Sequence, residues 1–468
     1  MLTQKLAEFV AGTGSAPSGV MKSATNALID TVGVALVGTL EPVSEIARRW
    51  AADLGARPQA SVWGSAMATS PAEAAFVNGI AGHVLDYDDT SPSLRGHPST
   101  TLIPTVLAVG EAVRARGKAT LTAYAVGLEV AGKLAKALGN AHYLRGWHNT
   151  VTVGVFSCTA AAGRLLGLDV PQLRNALGLA ASQSAGLLRN FGTMTKAFHA
   201  GHGHAARCGI HSAWLARHGF TADPSILDGK DGFFATYGGS DGEPFAELVR
   251  KLADPWEVVK PGINFKRWPC CYQIHRGVVG LMDLLAQHGI KTGEIESIAV
   301  GFPPGSDAAL IYDDPRNGLE GKFSAQYTAA AYVLDRRLGL DSYTDDMVAR
   351  PAVRELMSKI RRYRVPDTKT YTRAAWVVTD AEHDEKFLEC AVRVLGEDQA
   401  TRILGLARRC ENLEDVSVLA RATTKSTAAA ASRAASRAKR SRVTSRKGDR
   451  RRMVESRPRA HRKVQASR

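Results

Sequence analysis

Hydrophobic positions recur at helical spacing through the first half of the chain. Residues 21–38 (MKSATNALIDTVGVALVG) are apolar on nearly every side except around Asp30 and Thr31, the pattern of a helix in the middle of a core. Residues 71–86 begin with Pro71 behind Ser70, a start in which serine caps the helix and proline takes the first helical position. The period continues through 102–113, 120–138, 151–166 and 172–188, and Gly167 with Pro171 stops one helix and opens the next. Near Pro255 the character changes. Short β-branched runs at 256–260, 295–302 and 375–378 predict strands, interleaved with helices at 273–286 and 323–334 and followed by helices at 385–395 and 398–420. The predicted fold class is mainly α: a large all-helical domain over 1–260 and a smaller α+β domain over 261–424. Whether the last helix packs back on the first domain is left open by the pattern.

Charge changes the picture at the C-terminus. The chain has 468 residues and a formal charge of +15, a value that suggests nucleic acid as a partner. Sixteen of its 60 Lys and Arg residues, but only two of its 45 acids, lie in 425–468, so residues 1–424 carry +1. The tail has no aromatic residue and is rich in Arg, Ser and Ala, a composition that predicts disorder. Nonspecific anion binding by the tail is one reading, and nucleic-acid binding led by the tail is the remote alternative for the whole protein. A solvated extension without a role is the plainer reading. Six cysteines without a CxxC pair suit a reducing compartment. The N-terminus lacks a secretory pattern, and no apolar run approaches bilayer length, so a cytoplasmic protein without a membrane partner is expected.

Three polar clusters carry the candidate chemistry. In 78–99 (NGIAGHVLDYDDTSPSLRGHPS) a helix ends in Asp86, Asp88, Asp89 and Thr90, with His97 close behind. Acids at a helix C-terminus oppose the helix dipole, so the arrangement calls for a compensating use. Loop-capping aspartates and a hard divalent cation are the competing readings. The second cluster, 196–207 (KAFHAGHGHAAR), opens a helix between Lys196 and Arg207 and reads as an anion site. Its glycines mimic a dinucleotide fingerprint but follow no strand, and its histidines have no clear ligand set. The third, 265–275 (FKRWPCCYQIH), places Lys266 and Arg267 before an aromatic–proline turn, with His275 one helical turn further. His148 and Tyr327 are lone residues for which core packing is the ordinary role.

Together these segments resemble the MmgE/PrpD family, which includes 2-methylcitrate dehydratase, cis-aconitate decarboxylase and iminodisuccinate epimerase. The matching stretches are NGIAGHVLDYDDT with GHPS, TKAFHAG with AARCG, LDGKDGFF, NFKRWPCCYQIH and KFSAQYTAAAYVLD, and the resemblance ends near Thr424. It implies a helical domain with a smaller α+β lid domain, an active site between them, a homodimer, a small polycarboxylate substrate and chemistry without a metal or organic cofactor. It also implies a site around Asp86, Thr90, His97, His148, Lys196, Lys266 and Tyr327. In the expected mechanism His97 is the principal acid–base group oriented by Asp86, and Tyr327 is a proton donor or leaving-group partner. Lys196 and Lys266, with His148, Thr90 and His275, bind the substrate where charge develops. The leading expectation is a 2-methylcitrate dehydratase-like hydro-lyase, with cis-aconitate-type decarboxylation or iminodisuccinate-type epimerisation as alternatives in the same pocket. Because the tail has no counterpart in the family, deleting 425–468 is expected to leave kcat/KM unchanged in a steady-state assay; lost turnover would give the tail a catalytic role.

Overall fold

The computed structural model describes residues 1–199, 202–238, 243–365 and 378–425. The first helices are α1 (Leu2–Gly12), α2 (Ser18–Gly38), α3 (Pro42–Asp53), α4 (Pro71–His83), α5 (Ser99–Val113) and α6 (Gly117–Leu144); α2, α4, α5 and α6 follow the sequence signals, whereas α1 and α3 lie outside the predicted stretches. After them come α7 (Asn149–Thr152), α8 (Gly154–Leu165), α9 (Val170–Ala181), α10 (Met194–His199), α11 (His202–Arg217) and α12 (Glu243–Leu248). Ser70 caps α4 by accepting from the Glu73 N–H, and Asp169 with Gln172 forms a reciprocal cap on α9. A short antiparallel pair, β1 (Ala60–Ser61) and β2 (Ala68–Thr69), sits between α3 and α4.

The remainder mixes helices with a two-stranded parallel sheet. Helix α13 (Tyr272–Gln287) leads to β3 (Ile298–Phe302), followed by α14 (Gly318–Gly321), α15 (Ala325–Asp335), α16 (Asp345–Ala349), α17 (Pro351–Ser358) and β4 (Ile360–Arg364). The register runs from Ile298 opposite Ile360 to Phe302 opposite Arg364. Phe302, Trp268, Ile274, Tyr327, Val333 and Leu356 belong to a core of their own, separate from the two helical cores. The closing helices α18 (Asp380–Leu395), α19 (Glu397–Arg408) and α20 (Ser417–Ala422) return to the first half: Phe387, Ala391, Ile403 and Leu419 share a core with Leu28, Val32 and Tyr124. That settles the open question about the last helices. Residues 1–424 form one compact unit.

Several expectations are corrected. The helix predicted over 71–86 ends at His83, because Asp86 turns into the left-handed region (φ 52°) with its N–H on the His83 carbonyl at 2.7 Å. The run at 256–260 is not a strand: the Glu257 N–H is held by the Glu129 carboxylate, and Val258–Gly262 forms a short π-helical segment that contains Pro261. The helix predicted over 398–420 is broken between Arg408 and Ser417. Helix α2 is long and apolar enough to cross a membrane, contrary to the expectation, but 78% of its apolar window is buried inside the protein. Its Asp30 is ion-paired with Lys386 at 2.7 Å. The tail for which disorder is expected, apart from Lys425, and all but the last residue of the strand expected at 375–378, lie outside the described residues.

Helices α2 and α4 touch backbone to backbone where a Cβ on Gly38 would lie 1.9 Å from the Ala81 carbonyl oxygen. This contact holds the end of α4, and hence the polar loop after it, against the core. Gly38→Ala is expected to lower the melting temperature through an overpacking penalty of about 1–3 kcal/mol; an unchanged melting temperature would show that the two helices separate freely.

Candidate active site

The polar segment starts where α4 runs out of helix. The left-handed turn at Asp86, unusual for a residue with a side chain, directs the following acids inward. Asp86, Asp88 and Asp89 are all buried. Thr90 pairs with Asn264 through two backbone hydrogen bonds, of 2.9 and 2.7 Å, which bring the strand-like segment carrying Lys266 alongside. Three consecutive carbonyl groups at the end of the helix then accept from lysines: Leu85 from Lys322 at 2.8 Å, Asp86 from Lys266 at 2.8 Å and Tyr87 from Lys386 at 2.8 Å.

The Asp86 carboxylate lies between two ammonium groups, Lys196 Nζ at 2.7 Å from Oδ1 and Lys266 Nζ at 3.1 Å from Oδ2. Burial would raise its pKa, but the two lysines outweigh it and hold the carboxyl well below the usual range. Burial pulls Lys196 below its ordinary value, whereas for Lys266 Asp86 and Asp88 overcome burial and leave it above. His97 Nε2 stands 4.0 Å from Asp86 Oδ1, and its Nδ1 lies 3.0 Å from Asp88 Oδ2. Burial dominates there, with Lys266 and Lys196 adding to it against the pull of Asp88, so the imidazole is neutral near neutral pH. The three acids part company: Asp86 and Asp88 are held ionised, while burial, the charges of Asp30 and Asp88 adding to it, pushes Asp89 up to about 8. Asp89 therefore carries a proton, and it hydrogen-bonds to Ser99.

These groups line a cleft of about 540 Å³. Asp86, Thr90, His97, His148, Lys196 and Lys266 all face it, so six predicted residues from distant segments meet in one place. The Thr90 hydroxyl is buried without a hydrogen-bond partner, a donor available to a ligand. His148 caps the short helix α7, with Nε2 3.0 Å from Thr150 Oγ1, and Thr150 Oγ1 accepts from the His97 N–H. Arg95 and Arg276 stand at the same cleft from opposite parts of the chain. Tyr327 and His275 are corrections: neither lines the cleft. Tyr327 is fully buried in the core of the mixed region, its hydroxyl donating to the Ser342 carbonyl. His275 packs against the Trp268 and Tyr272 rings, 3.4 Å from the Cys270 carbonyl.

Two residues without a predicted role complete the centre. His83 places Nδ1 2.9 Å from Asp88 Oδ1 and Nε2 2.5 Å from Lys196 Nζ. The spacing His83-x-x-Asp86-x-Asp88 was the available signal, obscured because a histidine inside an apolar helix ordinarily reads as core. His83, Asp86, Asp88 and His97 bring four potential metal donors within 4.8 Å of one another. They do not fit a divalent cation, because Lys196 and Lys266 already place two buried ammonium groups against this donor set, and like charges at such range repel strongly.

Comparison with known proteins agrees with this architecture. Residues 4–245 match the MmgE/PrpD N-terminal domain and residues 268–380 the MmgE/PrpD C-terminal domain. The chain belongs to the MmgE/PrpD family. It is 28% identical over 458 residues to the cis-aconitate decarboxylase of Homo sapiens, covering 89% of this chain and 93% of that protein. The Mus musculus enzyme of the same name is 28% identical over 443 residues (86% and 89%), and that of Aspergillus terreus 27% over 372 (74% and 75%).

Burial, with Lys266 adding to it, pulls His275 down to about 3, so the unfolded chain binds its proton more readily than the folded one. The stability that the neutral ring contributes is complete above pH 6.5 and is lost as pH falls toward 3. Relative to His275→Phe, wild type should therefore lose stability between neutral pH and about pH 4, read as urea midpoints; a difference independent of pH would refute the assignment.

Proposed function

We propose that this chain is a lyase acting on a small polycarboxylate, and that its reaction is decarboxylation of a cis-aconitate-type tricarboxylate. The observation that carries this reading is the pairing of a neutral imidazole, His97, with two ammonium groups around one carboxylate at a single cleft. Lys196 spends one N–H on Asp86 and one on His83, and Lys266 spends its contacts on the Asp86 carboxylate and carbonyl. Each ammonium has three donors, so each keeps one for a substrate carboxylate. The named relatives favour loss of carbon dioxide over the loss of water expected from the sequence.

In such a reaction the bond between a methylene carbon and its carboxylate breaks and carbon dioxide leaves. The electron pair forms a new double bond, and the old one shifts its electrons onto the carbon beside a retained carboxylate. Negative charge thus grows on that carboxylate, where Lys196 and Lys266 stabilise it. One proton must then reach the carbon. Arrival of a trianion raises the proton affinity of His97, so the imidazole takes up a proton on binding and returns it to the carbon, ending neutral. The neutral resting state of His97 also favours a second reading, in which it removes a proton beside a carboxylate and a 2-methylcitrate-type substrate loses water.

The test is to incubate the purified protein with cis-aconitate, 2-methylcitrate and iminodisuccinate and follow each by proton NMR. Consumption of cis-aconitate with release of carbon dioxide is expected, and His97→Gln and Lys266→Met should each lower kcat by roughly a hundredfold or more. Turnover of 2-methylcitrate alone would select the hydro-lyase reading. No turnover of any of the three, or near-normal rates in both variants, would overturn the proposal.

A further inference from the structure

Acid–base work by His97 requires a lone pair on the ring nitrogen nearer Asp86, and nothing in a free imidazole guarantees it. The two tautomers of a neutral histidine are close in energy, and the hydrogen bond made by the other nitrogen decides between them. In this protein that nitrogen meets Asp88. Asp88 is fully buried, with Oδ2 3.0 Å from His97 Nδ1 and Oδ1 2.9 Å from His83 Nδ1. An ionised carboxylate can only accept, so both Nδ1 atoms must carry hydrogen.

Each ring has an independent check on this assignment. His97 Nδ1 also lies 3.0 Å from the Asp89 carbonyl oxygen, a second group that only accepts. His83 Nε2 lies 2.5 Å from the Lys196 ammonium, which only donates, so that nitrogen must offer its lone pair. Four contacts, two from Asp88 and one each from Asp89 and Lys196, therefore give one answer for both rings.

We propose that Asp88 is a positioning residue that fixes the tautomers of two imidazoles at once. Through His97 it keeps Nε2 as a proton acceptor on the Asp86 side of the cleft. Through His83 it keeps Nε2 as an acceptor for Lys196, which holds that ammonium between His83 and Asp86 with its third N–H left for substrate. A single carboxylate that need not touch the substrate thereby sets both the base and one of the cations. The inference rests on the acid–base reading above for its kinetic consequence, and on geometry alone for the tautomers.

Asparagine cannot reproduce this, since its side chain offers one acceptor oxygen and a donating NH₂ in place of two acceptors. The experiment is nitrogen-15 NMR of the full chain labelled at histidine, near neutral pH, with His83 and His97 assigned through His83→Gln and His97→Gln. Wild type should show Nδ1–H and unprotonated Nε2 for both rings. In Asp88→Asn at least one ring should switch to Nε2–H, and kcat on the substrate identified above should fall roughly a hundredfold while KM changes little, as expected when an orienting carboxylate is lost. Wild-type rings in the Nε2–H form, or an Asp88→Asn protein with both tautomers and kcat unchanged, would overturn the proposal. Should the variant not fold, the wild-type spectrum decides alone. Should no substrate turn over, the proposed reaction fails while the tautomer result still stands.

Discussion

The centre of this protein depends on holding several positive charges against the end of one helix. Leu85, Asp86 and Tyr87 present successive carbonyl groups where α4 has stopped, and each accepts from a lysine ammonium. Those lysines come from 237, 180 and 299 residues along the chain, so no local sequence preference could build the arrangement. Buried ammonium groups are costly unless carboxylates and carbonyls surround them, and carboxylates at a helix C-terminus are costly unless cations answer them. Each problem is the solution to the other. The balance is also brittle, because removing one partner would leave an uncompensated charge in the interior.

That reciprocity explains what could be read from the sequence and what could not. Helices with clear periods and start signals, such as α4 behind Ser70 and α9 at Pro171, were legible because their signals are local. The acid run at 86–89 was legible as an anomaly, since it broke the dipole rule, but the cations that resolve it were visible only as separate clusters. Strand β4 was missed because its sequence, IRRYR, carries three arginines and looks like solvated surface; only its pairing with β3 makes it a strand. Tyr327 was assigned through resemblance, and His275 was drawn from the third polar cluster. At both positions ordinary packing won: an apolar helix holds the tyrosine in the core, and Trp268 and Tyr272 hold the histidine.

The neutral body of the chain conceals a strongly polarised interior. Lys196 and Lys266 are buried at the cleft, with Arg95 and Arg276 at its more open part, whereas residues 1–424 as a whole carry only +1. Local concentration of one sign of charge within low-dielectric walls focuses attraction on anions far better than overall charge does. Ionised Asp86 keeps this concentration from becoming pure repulsion, which allows two ammonium groups to share so small a volume.

Lys386 gives the architecture a temporal consequence. It lies on α18, among the last described helices, yet it reaches Asp30 near the beginning and the carbonyls of Tyr87 and Lys266 in the middle. A chain emerging from the ribosome would have its acids, imidazoles and the cleft lysines Lys196 and Lys266 in hand well before this residue appears. The polar centre is tied together only once α18 has been made, so a product ending before α18 would possess the acids, the imidazoles, Lys196 and Lys266 and still lack the clasp that joins Asp30, Tyr87 and Lys266.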